Sequence, residues 1–173
     1  MKYYIGYHGT STTNAQRIKQ TNFVIDYTKV GWLGTGTYLF DENQELARSW
    51  ANYKYPTVSK NIVRCEIEVD KEKVFDVVDP LGEHNKFFHA IRKQLIEQQL
   101  KNRNIEVKVK NKKDFDGKTY NFICKAKDFK LVRAATYTYQ EYDRTLRLDS
   151  RVPNGVELCV KDLRIIKNKQ IIS

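Results

Sequence analysis

The chain has 173 residues, of which 40% are hydrophobic, 12% aromatic and 30% charged. This composition excludes an intrinsically disordered chain, and the length is sufficient to bury a core without disulfides or metal. We therefore expect residues 1–173 to form a single domain. The formal net charge of +10 favours a polyanionic partner such as nucleic acid, but an ordinary basic surface explains it equally well.

Cysteine usage, the N-terminus and hydropathy bear on the compartment. Cys65, Cys124 and Cys159 are widely separated, and none belongs to a Cys-x-x-Cys pair. This spacing argues against a disulfide framework and a zinc site, and it favours a reducing compartment. No signal peptide is visible at the N-terminus, and no apolar run is long enough to span a membrane. We expect a cytoplasmic protein with no metal and no membrane contact.

The first residues predict a strand and a short helix. Residues 2–8 alternate with the period of a β-strand. The hydroxyl side chains at 11–13 can cap a helix that directs Ala15 and Ile18 inward.

A glycine-bracketed loop at residues 31–36 precedes a brief predicted strand at 38–40. Asp41 is expected to cap a second helix. One face of that helix carries Leu46, Ala47 and Trp50.

The middle of the chain predicts a strand at 61–69, a strand at 74–78 and a turn at 79–82. The longest helical pattern covers 85–101, with four core-facing residues, Phe88, Ile91, Leu95 and Ile96.

Strands dominate the rest of the predicted structure. Leu146 and Leu148 alternate with Arg147 in the same period-two pattern. Early helices and late strands predict an α+β fold. The remaining predicted strands lie at 105–109, 120–124, 129–139, 156–160 and 163–166.

Three side chains are candidate site residues because of the residues beside them. His8 ends the first strand and precedes Gly9, which lets a ligand approach the backbone closely. Tyr38 follows the glycine-bracketed loop, and Glu157 follows the turn at 153–155. Taken singly, each has an ordinary structural explanation, since strand histidines, tyrosines and glutamates are common.

The strand phase separates Glu157 from its apolar neighbours. Val156, Leu158 and Val160 share one face of the strand, and Glu157 shares the other with Cys159. We therefore expect Glu157 to point away from the core that the three apolar residues join.

The run Tyr-His-Gly-Thr-Ser-Thr-Thr-Asn-Ala at 7–15 and the run Gly-Thr-Gly-Thr-Tyr-Leu-Phe at 34–40 resemble the ADP-ribosyltransferase superfamily, in its poly(ADP-ribose) polymerase and diphtheria-toxin branch. The resemblance covers positions 7–51, and the segment 156–160 matches by its position and apolar neighbours. That branch carries a His-Tyr-Glu triad on three strands. Its fold has split mixed and antiparallel β-sheets flanked by helices.

The resemblance implies NAD as the substrate and gives each matched residue a role. His8 would bond a ribose hydroxyl, the backbone of Gly9 would pair with the nicotinamide carboxamide, and Thr10 would add a hydroxyl contact. Tyr38 would stack on the nicotinamide ring. Glu157 would bond the 2′-hydroxyl of the nicotinamide ribose.

The residue types suit the chemistry. Breaking the glycosidic bond to nicotinamide leaves an oxocarbenium-like sugar, as in glycoside hydrolysis. A nearby carboxylate stabilises that positive charge, most strongly where water is excluded. Glu157 would therefore act through electrostatics and positioning, and it would also help to deprotonate the acceptor.

Two positions depart from the family pattern. A second aromatic residue often sandwiches the nicotinamide, and at the expected spacing this chain has Ser49 with Trp50 beside it. Trp50 is the candidate for that role, and its helical phase leaves a core position as the alternative. Gly155 stands where arginine-modifying members of another branch carry Gln or Glu, so arginine is disfavoured as the acceptor. No region for polymer extension is recognisable, which favours transfer of a single ADP-ribose.

Positive charge is concentrated in residues 101–133, where eleven Lys or Arg face four Asp or Glu, a balance of 11 − 4 = +7. Tyr120, Phe122 and Phe129 lie among these residues and suit stacking on bases. The expected acceptor is RNA or DNA, with protein as the alternative. The resemblance also implies a bacterial or phage-related toxin or defence effector with an antitoxin or other inhibitory partner.

Two further functions of this fold stay open. An NAD-dependent RNA 2′-phosphotransferase would rely on basic residues around a phosphate, so Tyr38 and Glu157 argue against it. A non-catalytic nucleic-acid-binding domain would not need His8, Tyr38 and Glu157 together.

Overall fold

The computed structural model describes residues 1–101 and 112–172, which form an α+β fold around a seven-stranded sheet. The predicted fold class is therefore confirmed. The strands are β1 (Lys2–Ser11), β2 (Thr37–Asp41), β3 (Lys60–Val69), β4 (Val74–Asp76), β5 (Leu131–Thr136), β6 (Gly155–Val160) and β7 (Ile166–Ile172). The helices are α1 (Thr12–Gln20), α2 (Gln44–Lys54), α3 (Glu83–Lys101), α4 (Lys112–Lys127) and α5 (Glu141–Leu146).

The sheet has the strand order β4-β5-β6-β2-β1-β3-β7, and β4 with β5 is its parallel pair. Strands β1 and β2 share two residue pairs, Gly6 with Asp41 and Tyr7 with Phe40, and then diverge. We call the boundary where they diverge the seam. The resemblance implies split sheets, whereas the described strands form one continuous seven-stranded sheet, in which β1 and β2 share two residue pairs at the seam.

Helices cover both faces of this sheet because side chains alternate along its strands. Helix α1 buries Ala15 and Ile18 against one face, in a cluster that includes Val63 and Leu158. Helix α2 packs on the opposite face. Helices α3 and α4 pack on that same opposite face, over a cluster that includes Cys159.

The two N-terminal helices test the predicted caps. Ser11 accepts a hydrogen bond from the Asn14 backbone N–H at 3.3 Å, which confirms the first cap. The cap of α2 is Asn43, whose side chain accepts from the Leu46 N–H at 2.9 Å. The predicted cap at Asp41 is wrong because its carboxylate instead accepts from Arg133 at 2.7 Å.

The predicted strand at 120–124 is wrong, since these residues lie in α4. Tyr120, Ile123 and Cys124 are its buried residues, and their spacings of three and four are helical. The aromatic and β-branched residues of this run favour strand locally, but burial against α3 and the sheet decides the outcome.

The other predicted elements have mixed outcomes. Helix α3 confirms the pattern at 85–101, and β4, β5 and β6 lie within or overlap the predicted strands at 74–78, 129–139 and 156–160. The strand predicted at 163–166 is instead a 3₁₀ turn, Leu163–Ile165, followed by β7. Leu146 ends α5, so the extended pattern there is wrong. The strand predicted at 105–109 lies outside the described residues.

Within the described ranges, no helix combines the length and apolar character that crossing a membrane requires. The three cysteines are free and buried.

Gly9 is required by the packing of α2 on β1. A Cβ at this position would overlap the Ala47 carbonyl oxygen and would lie 2.9 Å from the Ala51 Cβ. The backbone of α2 therefore approaches β1 too closely for any side chain at position 9. Helix packing is thus a second reason for this glycine, in addition to the close approach of a ligand that the sequence suggested.

We predict that Gly9→Ala lowers the free energy of unfolding by about 1–3 kcal/mol, because α2 must move away from the sheet. Urea unfolding followed by circular dichroism measures the change. Gly82→Ala is the control, since its added methyl would come no closer than 3.1 Å to the Asp79 carbonyl oxygen. Equal stability of the two variants would contradict the packing explanation.

Candidate active site

A cavity of about 950 Å³ opens along the seam, between the diverging ends of β1 and β2. Its walls also include residues of α1, α2, α4 and the segment that follows β5. All six candidate residues from the sequence line it: His8, Gly9, Thr10, Tyr38, Trp50 and Glu157.

His8 lies where the backbone pairing of β1 with β2 has ended. Its Nδ1 is 2.9 Å from the Tyr38 carbonyl oxygen. Because a carbonyl only accepts, Nδ1 carries the proton. Burial lowers the pKa of His8, so the ring is neutral and Nε2 is a hydrogen-bond acceptor. The ring also packs edge-on against Phe23, at 5.2 Å between centroids, on the α1 side of the sheet.

The backbone of Gly9 is directed toward the seam. The Ile5 carbonyl oxygen accepts from the Glu42 N–H at 2.8 Å, on the β2 side of β1. Backbone groups of alternate strand residues point to the same side, so the N–H and C=O of Gly9 also point to that side. There they lie beyond Tyr7, the last β1 residue paired with β2.

Thr10 is 2% exposed, and its hydroxyl donates to the Tyr55 hydroxyl over a long 3.5 Å. The weak bond leaves the Thr10 hydroxyl available to a better partner in the cavity.

Tyr38 has a structural role that the sequence did not indicate. Its hydroxyl donates to the Gly34 carbonyl oxygen at 2.7 Å and accepts from the Leu33 N–H at 2.9 Å. Burial raises the pKa of this phenol, which keeps it protonated. A Cβ at Gly31 would overlap the Tyr38 hydroxyl. The hydroxyl therefore fastens residues 31–36, here called the glycine loop, and Tyr38 also lines the cavity.

Two further side chains hold the glycine loop from outside. The Lys161 ammonium donates to the Leu33 carbonyl oxygen at 2.7 Å and to that of Thr35 at 2.9 Å. Asn121 of α4 accepts from the Thr35 N–H at 2.8 Å. Gly34 has φ +87°, and a Cβ there would collide with Asn121 and come within 2.6 Å of the Lys161 nitrogen. The loop is thus fixed at several backbone positions.

Glu157 is a largely buried carboxylate held by three donors. Oε2 accepts from the Trp32 indole N–H at 3.2 Å, and Oε1 accepts from the Thr136 and Thr138 hydroxyls at 3.2 Å each. Burial raises the pKa of Glu157, and the three hydrogen bonds oppose that shift. A carboxylate offers about four lone-pair sites, so about one remains for a ligand.

The strand phase predicted for Glu157 is confirmed. Leu158 and Val160 belong to the cluster on the α1 face, whereas Cys159 belongs to the cluster under α3 and α4. Tyr38 pairs with Cys159 across β2 and β6. Tyr38 and Glu157 therefore share one face of the sheet, and His8 reaches the cavity from the other side of the seam.

Sequence reasoning missed Trp32, Thr136 and Thr138. Trp32 lies between Gly31 and Gly34, and a large aromatic residue in a glycine loop was a signal that it fills a site. Thr136 ends β5 and Thr138 lies two residues beyond it, but their approach to Glu157 depends on the register of β5 with β6. That register cannot be read from local sequence.

Trp50 lies at the rim of the cavity and not in the core. Leu46 and Ala47 are 6% and 0% exposed, whereas Trp50 is 38% exposed, with its ring 6.0 Å from that of Tyr53. The expectation that Trp50 shares their buried face is wrong, and its place at the cavity is compatible with contact to a ligand.

The basic segment is only partly available to a nucleic acid. Tyr120 is buried and stacks on Phe88 at 4.4 Å, and Phe129 packs at 5.0 Å from Phe75. Neither ring is free to stack on bases as expected, whereas Phe122 is 51% exposed. Residues 102–111 of the segment lie outside the described ranges.

Two cations of the described part of this segment, Lys130 and Arg133, have acidic partners. Arg133 bonds Asp41 at 2.7 Å and Asp76 at 3.2 Å, which ties β5 to β2 and β4. Lys130 bonds Asp128 at 2.6 Å. These ion pairs reduce the charge that this segment presents.

Three arginines, Arg17, Arg144 and Arg151, line the cavity. The Arg144 guanidinium lies 3.7 Å from the centroid of the Tyr53 ring, which joins α5 to the end of α2. Among the described residues, no group of three or more His, Cys, Asp or Glu side chains is placed to hold a metal ion. The arrangement thus suits an anionic ligand with a polar, hydroxyl-rich part.

We predict that Tyr38→Phe lowers the free energy of unfolding by about 1–3 kcal/mol, because the Leu33 N–H and Gly34 carbonyl lose their partner. Urea denaturation measures the effect. Tyr27→Phe, at a residue that is 79% exposed, is the matched control and should be neutral. A Tyr38→Phe variant as stable as the control would show that the hydroxyl does not hold the loop.

Comparison of the chain with protein-family models, with curated proteins and with solved structures gives no match.

Proposed function

We propose that this chain is an NAD-dependent mono-ADP-ribosyltransferase, which cleaves the nicotinamide glycosidic bond and transfers ADP-ribose to a macromolecular acceptor. The supporting observation is that His8, Tyr38 and Glu157, which are far apart in sequence, line a single cavity at the seam. These three residues have the order and strand positions of the triad in the family that the chain resembles. They also share one cavity, which could hold the substrate.

The chain's own groups fit NAD as a substrate. A volume of about 950 Å³ is at the upper end of the range for small-molecule sites, which suits a dinucleotide. Gly9 directs a backbone donor and acceptor toward the seam, as pairing with a carboxamide requires. The Tyr38 ring offers a face for stacking. Arg17, Arg144 and Arg151 suit the pyrophosphate.

The buried carboxylate suits the bond cleavage. Departure of nicotinamide leaves positive charge on the ribose, which a fixed carboxylate in a site of low dielectric stabilises. Glu157 retains about one lone-pair site for the 2′-hydroxyl. The neutral His8 ring can accept from another ribose hydroxyl through Nε2. Both residues would orient the sugar without a change in their own hydrogen bonds.

We propose nucleic acid as the acceptor, with α4 as the contact surface. Lys118, Phe122 and Lys125 are exposed at spacings of four and three, so they share one helix face. The other side of α4 contributes Asp116 and Tyr120 to the cavity wall. A strand bound along the exposed face of α4 would therefore lie one helix diameter, about 10 Å, from the cavity wall.

A second candidate is transfer of an RNA 2′-phosphate to NAD. The three cavity arginines favour it, because that reaction depends on basic groups around a phosphate. The two candidates differ in their products. Phosphate transfer removes the 2′-phosphate from the RNA and adds no ADP-ribose to it.

We predict that Glu157→Gln lowers kcat for nicotinamide release by about 10²–10³-fold, because the amide cannot stabilise the positively charged sugar. Release of nicotinamide from NAD measures turnover, and circular dichroism checks the fold. Expression should arrest growth with the wild-type chain and not with Glu157→Gln if the chain is a toxin. Unchanged turnover in the variant would disprove the catalytic assignment.

We predict that label from adenylate-labelled NAD enters RNA or DNA and that Lys118→Ser with Lys125→Ser reduces this labelling severalfold. Binding through these lysines should weaken steeply with salt, because phosphate contacts release counterions. Lys19→Ser with Lys71→Ser is the control, since both lysines are exposed and lie on other elements. Label in protein alone would identify a protein acceptor, and loss of 2′-phosphate without label would identify the phosphotransferase.

A further inference from the structure

Trp32 joins the glycine loop to the carboxylate of the proposed site. Its indole N–H donates to Glu157 Oε2 at 3.2 Å, across 125 positions of sequence. Both residues line the cavity. The Trp32 indole bonds Oε2, whereas the two threonine hydroxyls bond Oε1. Trp32 therefore determines the orientation of the second oxygen.

The position of Trp32 depends on the residues that follow it in the loop. The Leu33 N–H bonds the Tyr38 hydroxyl, and the Leu33 carbonyl oxygen accepts from the Lys161 ammonium. Leu33 itself is fully buried. The backbone adjacent to Trp32 is thus held on both its donor and its acceptor side, so the indole is presented to Glu157 from a fixed point.

We propose that Trp32 is a positioning residue that acts through Glu157: its N–H fixes Oε2 so that the remaining lone pair faces the ribose in the cavity. This inference rests on the proposed function only for the identity of the sugar. The contact between the indole and the carboxylate stands on the geometry and can be tested without NAD.

Loss of the indole N–H has two physical consequences. Oε2 becomes free to rotate about the bonds that Oε1 keeps with Thr136 and Thr138. The ionised carboxylate also loses a donor, and a hydrogen bond to the charged form is one of the terms that holds a carboxyl pKa down. The variant enzyme should therefore need a higher pH for the same fraction of active carboxylate.

The titration of other groups near Glu157 must be distinguished from this change in the pKa of Glu157. Burial raises the pKa of Tyr38 and of Cys159, so both stay neutral in the acid range. Burial lowers the pKa of His8, and Asp116 bonds Arg92 at 2.6 Å. The charged and titratable groups that line the cavity with Glu157 include His8, Arg17, Tyr38, Asp116, Arg144 and Arg151. Cys159, which is buried, interacts electrostatically with Glu157.

The first test uses nuclear magnetic resonance of the whole chain without NAD. The chain has two tryptophans, so two indole N–H signals are expected, and Trp50→Phe assigns them. The Trp32 signal should shift as Glu157 is titrated and should lose that titration in Glu157→Gln. An indole signal that does not titrate, or that titrates equally in Glu157→Gln, would overturn the inference.

The second test compares Trp32→Phe with Trp50→Phe, which make the same chemical change in one cavity. Trp32→Phe should reduce kcat by about tenfold with little change in KM for NAD, and should move the acid limb of the pH–rate profile to higher pH. Trp50→Phe should leave the acid limb in place, whatever it does to KM. An unmoved acid limb in Trp32→Phe would refute the positioning role.

The two tests separate the inference from the function on which it rests. If the wild-type chain does not turn over NAD, the proposed function fails, and the indole titration alone decides whether Trp32 holds the carboxylate.

Discussion

The early divergence of β1 and β2 is the constraint on which the rest of the site depends. These strands pair at Gly6 and Tyr7 and then separate, which opens a cavity in the middle of a continuous sheet. Separation leaves backbone polar groups without their ladder partners, and such groups are costly to bury. His8 meets part of that requirement by donating to the Tyr38 carbonyl oxygen. The residue that resembles a ligand-binding histidine thus also holds the two halves of the sheet together.

The glycine loop likewise has its backbone polar groups satisfied by side chains, and it contacts Glu157, the candidate catalytic residue. Its backbone is bonded by the Tyr38 hydroxyl, the Lys161 ammonium and the Asn121 side chain, so a loop without regular structure is rigid where it meets the cavity. The loop then presents Trp32 to Glu157. Burying a carboxylate costs free energy unless hydrogen bonds satisfy it, and three donors do so here: Trp32 of the loop, Thr136 at the end of β5 and Thr138 just beyond it. Structure and proposed chemistry therefore share the same residues.

Local sequence predicted some elements well and others poorly, for physical reasons. Ser11 caps α1 as expected, because a cap depends on residues within one turn. Asp41 does not cap α2, because Arg133, distant in sequence, binds its carboxylate. In α4 the run around Tyr120 is rich in strand-favouring residues, but Ile123 and Cys124 can be buried together with Tyr120 only on one face of a helix.

The sequence by itself determined the strand phase of Glu157, the cap at Ser11 and the association of His8 and Tyr38 with glycines, because each depends on neighbours along the chain. Tertiary structure alone decided that β5 lies beside β6, which brings two threonine hydroxyls to Glu157, and that the Trp32 indole bonds the same carboxylate. Strand register and loop path are set by packing between distant segments, and no local pattern encodes them.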